Sequence, residues 1–561
     1  MKEFLKKLGH KVTGRKGIGN TLTVVIIIAV IMLNVLAYTV TNSFGLYLYS
    51  QKTYDFSLSG NTDELFKDAI KLGKKVTITF CYTEEKLKTH STGSLVLETA
   101  RKFEERYSDS GFINVRFVNL LTKLDEDGKS AKLERYCNVV CQNDADPDEN
   151  ITKICNKSVR YADVEYDEND NPICTSCRGK LDLDENVVYN FAQNSIIFET
   201  GTYGESSFSY RVLTDRSTSV GFVDFYTLNS SGNVIAYNGE EVMASMISWV
   251  LQKEHPVAYF TQNHGETSDV AFTNLLTCAG YYVEVINLRK MEIPKDAGML
   301  IISNPTSDFD RSSDDSNVRG ELNKIEQYLE GGGKLYVALD PYVKELKNLE
   351  GMLDKWGISL SGEYNENNVL VRDIVRENSN AITPDGYTFI ATHADNELAA
   401  RIRDKVTTHG NDSILMSEVT RLKLDESKGA RPLLVSSTTS STHAGGKETD
   451  SSGEYAVVAY SVREEQDGNK STVFVIPTAY ITASDALLSN SYSNKDFLYS
   501  TLEVLFESSS APHGCNMVDY TTPILENLTM GRAKLYTAII LAIPTALAVV
   551  GVITIIRRKN R

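Results

Sequence analysis

The sequence predicts an α/β protein: two extracytoplasmic α/β domains held between two transmembrane helices, the second domain an open, mostly parallel sheet. Three observations predict it. Short, nearly continuous apolar runs that stop on polar tips alternate with helical patterns through residues 233–360. One uncharged apolar run lies near each end of the sequence. The charge is divided between an acidic body and basic tips.

The formal net charge is −16 over 561 residues, a length that suits about two to four domains. Residues 1–20 carry Lys2, Lys6, Lys7, Lys11, Arg15 and Lys16 against Glu3, and Arg557, Arg558, Lys559 and Arg561 close the chain. Without these 10 bases and 1 acid, 48 Lys+Arg face 73 Asp+Glu, a net of −25. So acidic a body argues against nucleic-acid binding.

The basic tips flank membrane runs. Residues 21–40 read TLTVVIIIAVIMLNVLAYTV and residues 535–556 read LYTAIILAIPTALAVVGVITII, both uncharged. At 1.5 Å per residue, about 20 residues span roughly 30 Å, one bilayer core. Pro544 is tolerated in a lipid helix and predicts a kink. The positive-inside rule puts both basic ends in the cytoplasm and the body outside, as a two-pass cell-membrane protein. The competing reading of the first run is a cleaved signal peptide, which its long apolar core and poor small-residue site disfavour. The expected division is a basic N-terminus (1–20), a first helix (21–41), a membrane-proximal α/β domain (42–232), a second α/β domain (233–525), a second helix (535–556) and a basic tail (557–561).

In the first domain, Asn61 or Thr62 is expected to cap a helix, with Asp63 and Glu64 in its first turn. A strand follows over 75–82, a helix over 95–107 and a strand over 112–120, a βαβ unit with parallel strands. Residues 123–185 form an acidic, Cys-rich insertion with a short hairpin over 160–166, and strands over 186–189 and 195–199 close the domain. In the second, a helix over 240–250 leads to the strand 256–261 and its tip Gln262-Asn263-His264-Gly265-Glu266. Further strands are expected at 281–288, 298–303 and 334–339, and helices at 318–329 and 349–356. Gly331-Gly332-Gly333 is the expected stop of the first of those helices. Residues 362–450 are less regular, with a flexible loop over 436–446. Strands return at 455–461 and 472–477, then a helix at 494–506.

The order of these features resembles a known family. Ser57-Leu58-Ser59 with its helix and Val-Thr-Ile strand, Asn238-Gly239-Glu240-Glu241, His264-Gly265-Glu266, Ile293-Pro294 and Met299-Leu300-Ile301-Ile302 come in turn, then Gly331-Gly332-Gly333-Lys334-Leu335 and Asp340-Pro341. The pattern is similar to the Gld-type auxiliary components of ABC transporters, associated with gliding motility, across nearly the whole chain. The family's usual tip is Gly-His-Gly-Glu, where this chain has Asn263, and the Cys-rich insertion is not part of the family core. The resemblance implies a non-enzymatic subunit beside an ABC permease and its ATPase, with a second domain of glutamine-amidotransferase-like fold lacking that activity.

Strand ends of open α/β sheets are where ligands gather, so His264 and Glu266, with Asn263, Asn304 and Asp340, are the candidate ligand-binding residues. His264 and Glu266 read either as a ligand, metal or acid–base pair or as side chains that hold the loop. No catalytic residue is assigned. Ser303-Asn304-Pro305 is not a nucleophile elbow, and there is no G-x-x-x-x-G-K-[ST] and no H-E-x-x-H. ATP hydrolysis therefore belongs to another chain, and no cofactor is expected.

Cys137, Cys141, Cys155, Cys174 and Cys177 are disulfide candidates on the external side. Cys137, Cys141, Cys174 and Cys177 are the alternative as zinc ligands, and unpaired thiols remain open. A surface hydrolase working at the His264–Glu266 tip and a mechanical surface scaffold are the competing functions.

Overall fold

The computed structural model describes residues 57–117, 137–141, 158–160, 164–174, 179–181, 183, 187–189, 195–202, 205–213, 222–228, 232–312, 320–409, 412–464, 469–489, 491–508 and 511–519. Both apolar runs, both basic tips, Cys155 and Cys177 lie outside the described residues. Among the described residues, no helix is long and apolar enough to cross a membrane.

The fold is mixed α/β. The first layer holds helix α1 (Asn61–Lys71), strand β1 (Val76–Phe80), helix α2 (Gly93–Arg106) and strands β2 (Ile113–Phe117), β3 (Ile196–Thr200) and β4 (Ser209–Leu213). Sheet order is β2-β1-β3-β4. The expected βαβ unit is present: β1 and β2 are parallel, with Val76 opposite Ile113, and α2 crosses between them. β3 then runs antiparallel to β1. Phe66, Phe103, Tyr107 and Phe112 cluster over this sheet: Phe66 meets Phe103 and Tyr107 edge to face, Tyr107 meets Phe112 edge to face, and Phe66 and Phe112 are tilted with centres 5.4 Å apart. The α1 cap differs from expectation. The helix starts one residue earlier, after Gly60 with no side-chain cap, and the Thr62 hydroxyl instead donates to the Ser59 carbonyl.

A small sheet follows, β5 (Tyr226–Leu228), β6 (Val234–Tyr237) and Val518–Asp519. Helix α3 (Gly239–Leu251) comes next and is buried on all sides along 239–250, as its uncharged stretch from Val242 onward requires. It packs on β3, β4 and α2 as well as on helix α4 (Val270–Cys278), so the packing runs on through 232–233.

The large sheet contains β7 (Val257–Thr261), β8 (Tyr282–Ile286), β9 (Ala297–Ser303), β10 (Lys334–Ala338), β11 (Thr388–His393), β12 (Ile414–Ser417), β13 (Ala430–Val435), β14 (Ala456–Glu464) and β15 (Lys470–Ile476), in the order β8-β7-β9-β10-β15-β14-β13-β11-β12. The expectation of a mostly parallel sheet holds for half of it. β8, β7, β9, β10 and β15 are parallel, and the rest of the path is antiparallel.

Alternate residues of the parallel strands face two cores. Ala258, Phe260, Ile301 and Phe474 meet α4, α7 (Glu397–His409) and α8 (Asn494–Leu505). Val257, Tyr259, Leu300 and Val475 meet α5 (Glu321–Glu330) and α6 (Lys347–Lys355).

Residues 362–450 are more regular than expected. They supply four strands of the large sheet (β11, β12, β13 and, off the main path, Leu422–Leu424), the pair Gly362–Tyr364 and Leu370–Arg372, and a second small sheet of Ile374–Arg376, Ser440–Ala444 and Lys447–Gly453. The supposed flexible loop is a hairpin. Gly445 and Gly446 turn it with φ of 57° and 79°, left-handed values that a two-residue hairpin turn needs. The hairpin expected over 160–166 is instead Glu165–Tyr166 paired with Pro172–Ile173. Cys141 and Cys174 are buried together with Val139, Val164 and Leu181 in the insertion.

Candidate functional site

The tip after β7 is shaped by two left-handed residues, Asn263 (φ 84°) and Gly265 (φ 73°). Gly265 is required twice over, because a Cβ there would lie 2.1 Å from the Thr306 hydroxyl. Between them the His264 carbonyl accepts hydrogen bonds from the amides of Thr306 (2.8 Å) and Ser307 (3.0 Å), which ties the tip to the loop after β9.

The His264 ring points inward and is fully buried. Its Nδ1 lies 3.2 Å from Glu266 Oε1 and its Nε2 lies 3.0 Å from Glu321 Oε2, in the first turn of α5. The ring stacks on Phe309 at 3.8 Å. The His264 amide donates to Glu266 Oε2 at 2.7 Å, the Asp310 amide donates to Glu321 Oε2 at 3.1 Å, and Arg289 approaches Glu321 at 3.5 Å.

Burial alone would lower the imidazole pKa, but the two carboxylate hydrogen bonds outweigh it and push it up to about 9. Glu266 and Glu321 move the other way: burial opposes their charge, and the His264 hydrogen bonds hold both below the usual carboxylate range. At neutral pH the ring is therefore an imidazolium donating both N–H groups to two buried carboxylates. A general base needs a free imidazole lone pair within reach of substrate. This arrangement offers neither, and its geometry is that of a brace joining the β7 tip to α5.

The other expected residues separate. Asn263 is exposed on the outside of the turn. Asn304 is buried in a left-handed conformation (φ 50°), and its amide donates to the Ala338 carbonyl at 2.9 Å. Asp340 closes its own loop, accepting from the Tyr342 amide at 2.8 Å. That loop borders a cavity of about 370 Å³ lined by Tyr342, Arg372, Tyr387 and His443. Cys137 lies in the strand Cys137–Val140. The four-thiol zinc set includes Cys177, outside the described residues. Among the described residues no group of three or more His, Cys, Asp or Glu is placed to hold a metal ion.

Two features escaped the sequence. Glu321 completes the brace from 57 positions away; its only sequence signal is an acid opening a helix. The second is Glu240 with Glu241 at the start of α3. Glu240 is fully buried and accepts from the Ser59 amide and hydroxyl (2.7 Å each) and from the Asn516 amide (2.7 Å). Asn516 Nδ2 also donates to the Ser57 carbonyl (2.6 Å), and Asn61 Nδ2 to the Gly514 carbonyl (3.0 Å).

No protein-family model and no curated protein matches the chain. Among solved structures, the N-terminal domain of mmIFT52 aligns at a TM-score of 0.32 and 12% identity, over 45% of this chain and 97% of that one. PurLQS from Thermotoga maritima aligns at 0.25 and 12%, over 45% and 99%. A cytoplasmic protein from Salmonella typhimurium aligns at 0.25 and 11%, over 44% and 98%. Likenesses this low fix neither fold nor activity.

Proposed function

We propose that the chain is a non-catalytic, membrane-anchored auxiliary subunit of an ABC transport system. Its body lies outside the membrane and contacts the permease or a surface ligand. The two apolar runs cross the bilayer with their basic flanks in the cytoplasm. The observation that carries this reading is the meeting of residues 57–61 and 514–516 at Glu240. The first segment follows one apolar run and the second precedes the other. A body hung from two antiparallel membrane helices needs its two connections close together, and the meeting of 57–61 with 514–516 supports that reading.

The partner class rests on the resemblance to Gld-type components, and so does the reading of β7–β10 with β15 as an amidotransferase-like sheet. The non-catalytic character is supported by the His264 brace, in which both ring nitrogens are held by carboxylates. The test is capture of the tagged full chain in mild detergent. An ABC permease and its ATPase are expected to co-elute. Recovery of a lone monomer, with transport unchanged by deletion, would overturn the proposal.

A further inference from the structure

The cavity of about 370 Å³ beside Asp340 opens past the carboxyl end of β10, at the edge of an open α/β sheet where ligands gather. Three segments meet there. Pro341 and Tyr342 come from the loop after β10, Leu370 and Arg372 from the strand pair, and His443 from the second small sheet. Tyr342 is 69% exposed, and Tyr364, directly opposite Leu370, is 55% exposed. Single exposed apolar side chains are ordinary, but two exposed tyrosine rings beside one cavity point to a contact surface.

The lining is close to neutral. Arg372 is its one permanent charge, and Nη1 and Nη2 donate to the Glu350 carboxylate at 3.0 and 2.6 Å. Among the described residues, no carboxylate and no carboxamide lines the cavity. The Tyr342 hydroxyl lies beside Glu418, and His443 Nε2 lies 3.1 Å from the Ser441 hydroxyl. The Tyr387 ring meets His443 edge to face, and its hydroxyl makes no hydrogen bond among the described residues. Gly445 and Gly446 present bare main chain.

These features narrow the ligand class. A charged ligand would find no uncompensated charge in the lining to pair with. A saccharide brings hydroxyl donors and an ordinary extended peptide brings N–H donors, and both need side-chain acceptors that the lining lacks. Consecutive prolines bring apolar rings and carbonyl acceptors with no N–H at all, in a preformed polyproline II helix. We propose that the cavity and its tyrosine rim dock an uncharged proline-rich segment, one proline ring packing on Pro341 and Tyr342 while the Tyr387 hydroxyl donates to a prolyl carbonyl. The site does not rest on the transport reading: a chain that captures no permease would still bind such a segment.

The test uses the full chain in non-ionic detergent with a capped decaproline peptide as probe, and with a Gly-Ser peptide of equal length and maltotriose as controls. Decaproline is expected to bind saturably by calorimetry, with neither control doing so. Tyr342→Ala should weaken it about tenfold, through the lost ring face, and Tyr387→Phe about fivefold, through one lost hydrogen bond. Melting without ligand reports whether each variant folds. No binding of decaproline would overturn the proposal, as would equal binding of the Gly-Ser peptide or of maltotriose, or undiminished decaproline affinity in both folded variants. If Tyr342→Ala fails to fold, Tyr387→Phe, which keeps its ring, decides the matter.

Discussion

The β7 tip and the start of α3 are both short polar stretches built on a Gly-Glu pair, yet they fasten different parts of the fold. At the tip, His264 sits between Glu266 and Glu321 against Phe309, and the ring is sealed from solvent. At α3, Glu240 fastens two chain segments, while Glu241 and Asn238 border a cavity, the Asn238 side-chain oxygen being buried with no donor among the described residues. Both ring nitrogens of His264 are paired and tie the tip to α5, with Glu321 Oε1 left only the Arg289 guanidinium at 3.5 Å, whereas Glu240 ties segments from the two ends of the described chain. The conspicuous histidine has the geometry of a brace, and so has the buried glutamate.

The largest effect separating the two regions should come from His264→Ala. Removing the cation leaves two buried carboxylates facing each other, and loss of one partner of a buried pair costs about 3–5 kcal/mol. Denaturant unfolding should show a lower midpoint with an unchanged slope. A variant as stable as the original would mean the tip is not a brace.

Glu240→Gln should cost less, about 1–3 kcal/mol, because the amide keeps one oxygen for the three donors. Its effect should be local: amide exchange at Ser59 and Asn516 should accelerate, while that of β7 and β9 stays slow. Uniform acceleration would break the assignment of Glu240 to the two connecting segments. The smallest effect belongs to Asn263→Gly, which keeps the left-handed turn and alters only an exposed side chain. Its stability should stay within about 0.5 kcal/mol of the original.

The sequence made the parallel half of the large sheet legible because strands such as Gly298-Met299-Leu300-Ile301-Ile302 are covered on both faces and read as unbroken apolar runs. The second small sheet was not legible for the converse reason. Ser440-Ser441-Thr442-His443 and Lys447-Glu448-Thr449-Asp450 are polar; they pair with each other, and the first depends on a further partner at 374–376. Pro432, inside β13, also reads as a breaker, and the structure accommodates it with a register shift before Leu434. The site divides the same way. His264 and Glu266 are neighbours in sequence and were found together. Glu321, and the Glu241–Lys495–Tyr499 group, are joined only by folding.

The most direct measurement is the titration of the His264 ring, followed by NMR of histidine-labelled full chain. The brace predicts an imidazolium that persists to about pH 9, against an ordinary value of 6.5. The native chain then holds a proton that the unfolded chain has lost. The stability from His264 is therefore complete below pH 6.5 and disappears as pH rises through 9, and the His264→Ala variant should lack that decline. A ring that titrates at or below pH 6.5, with stability flat from pH 6.5 to 9, would contradict the brace and restore His264 as an available base.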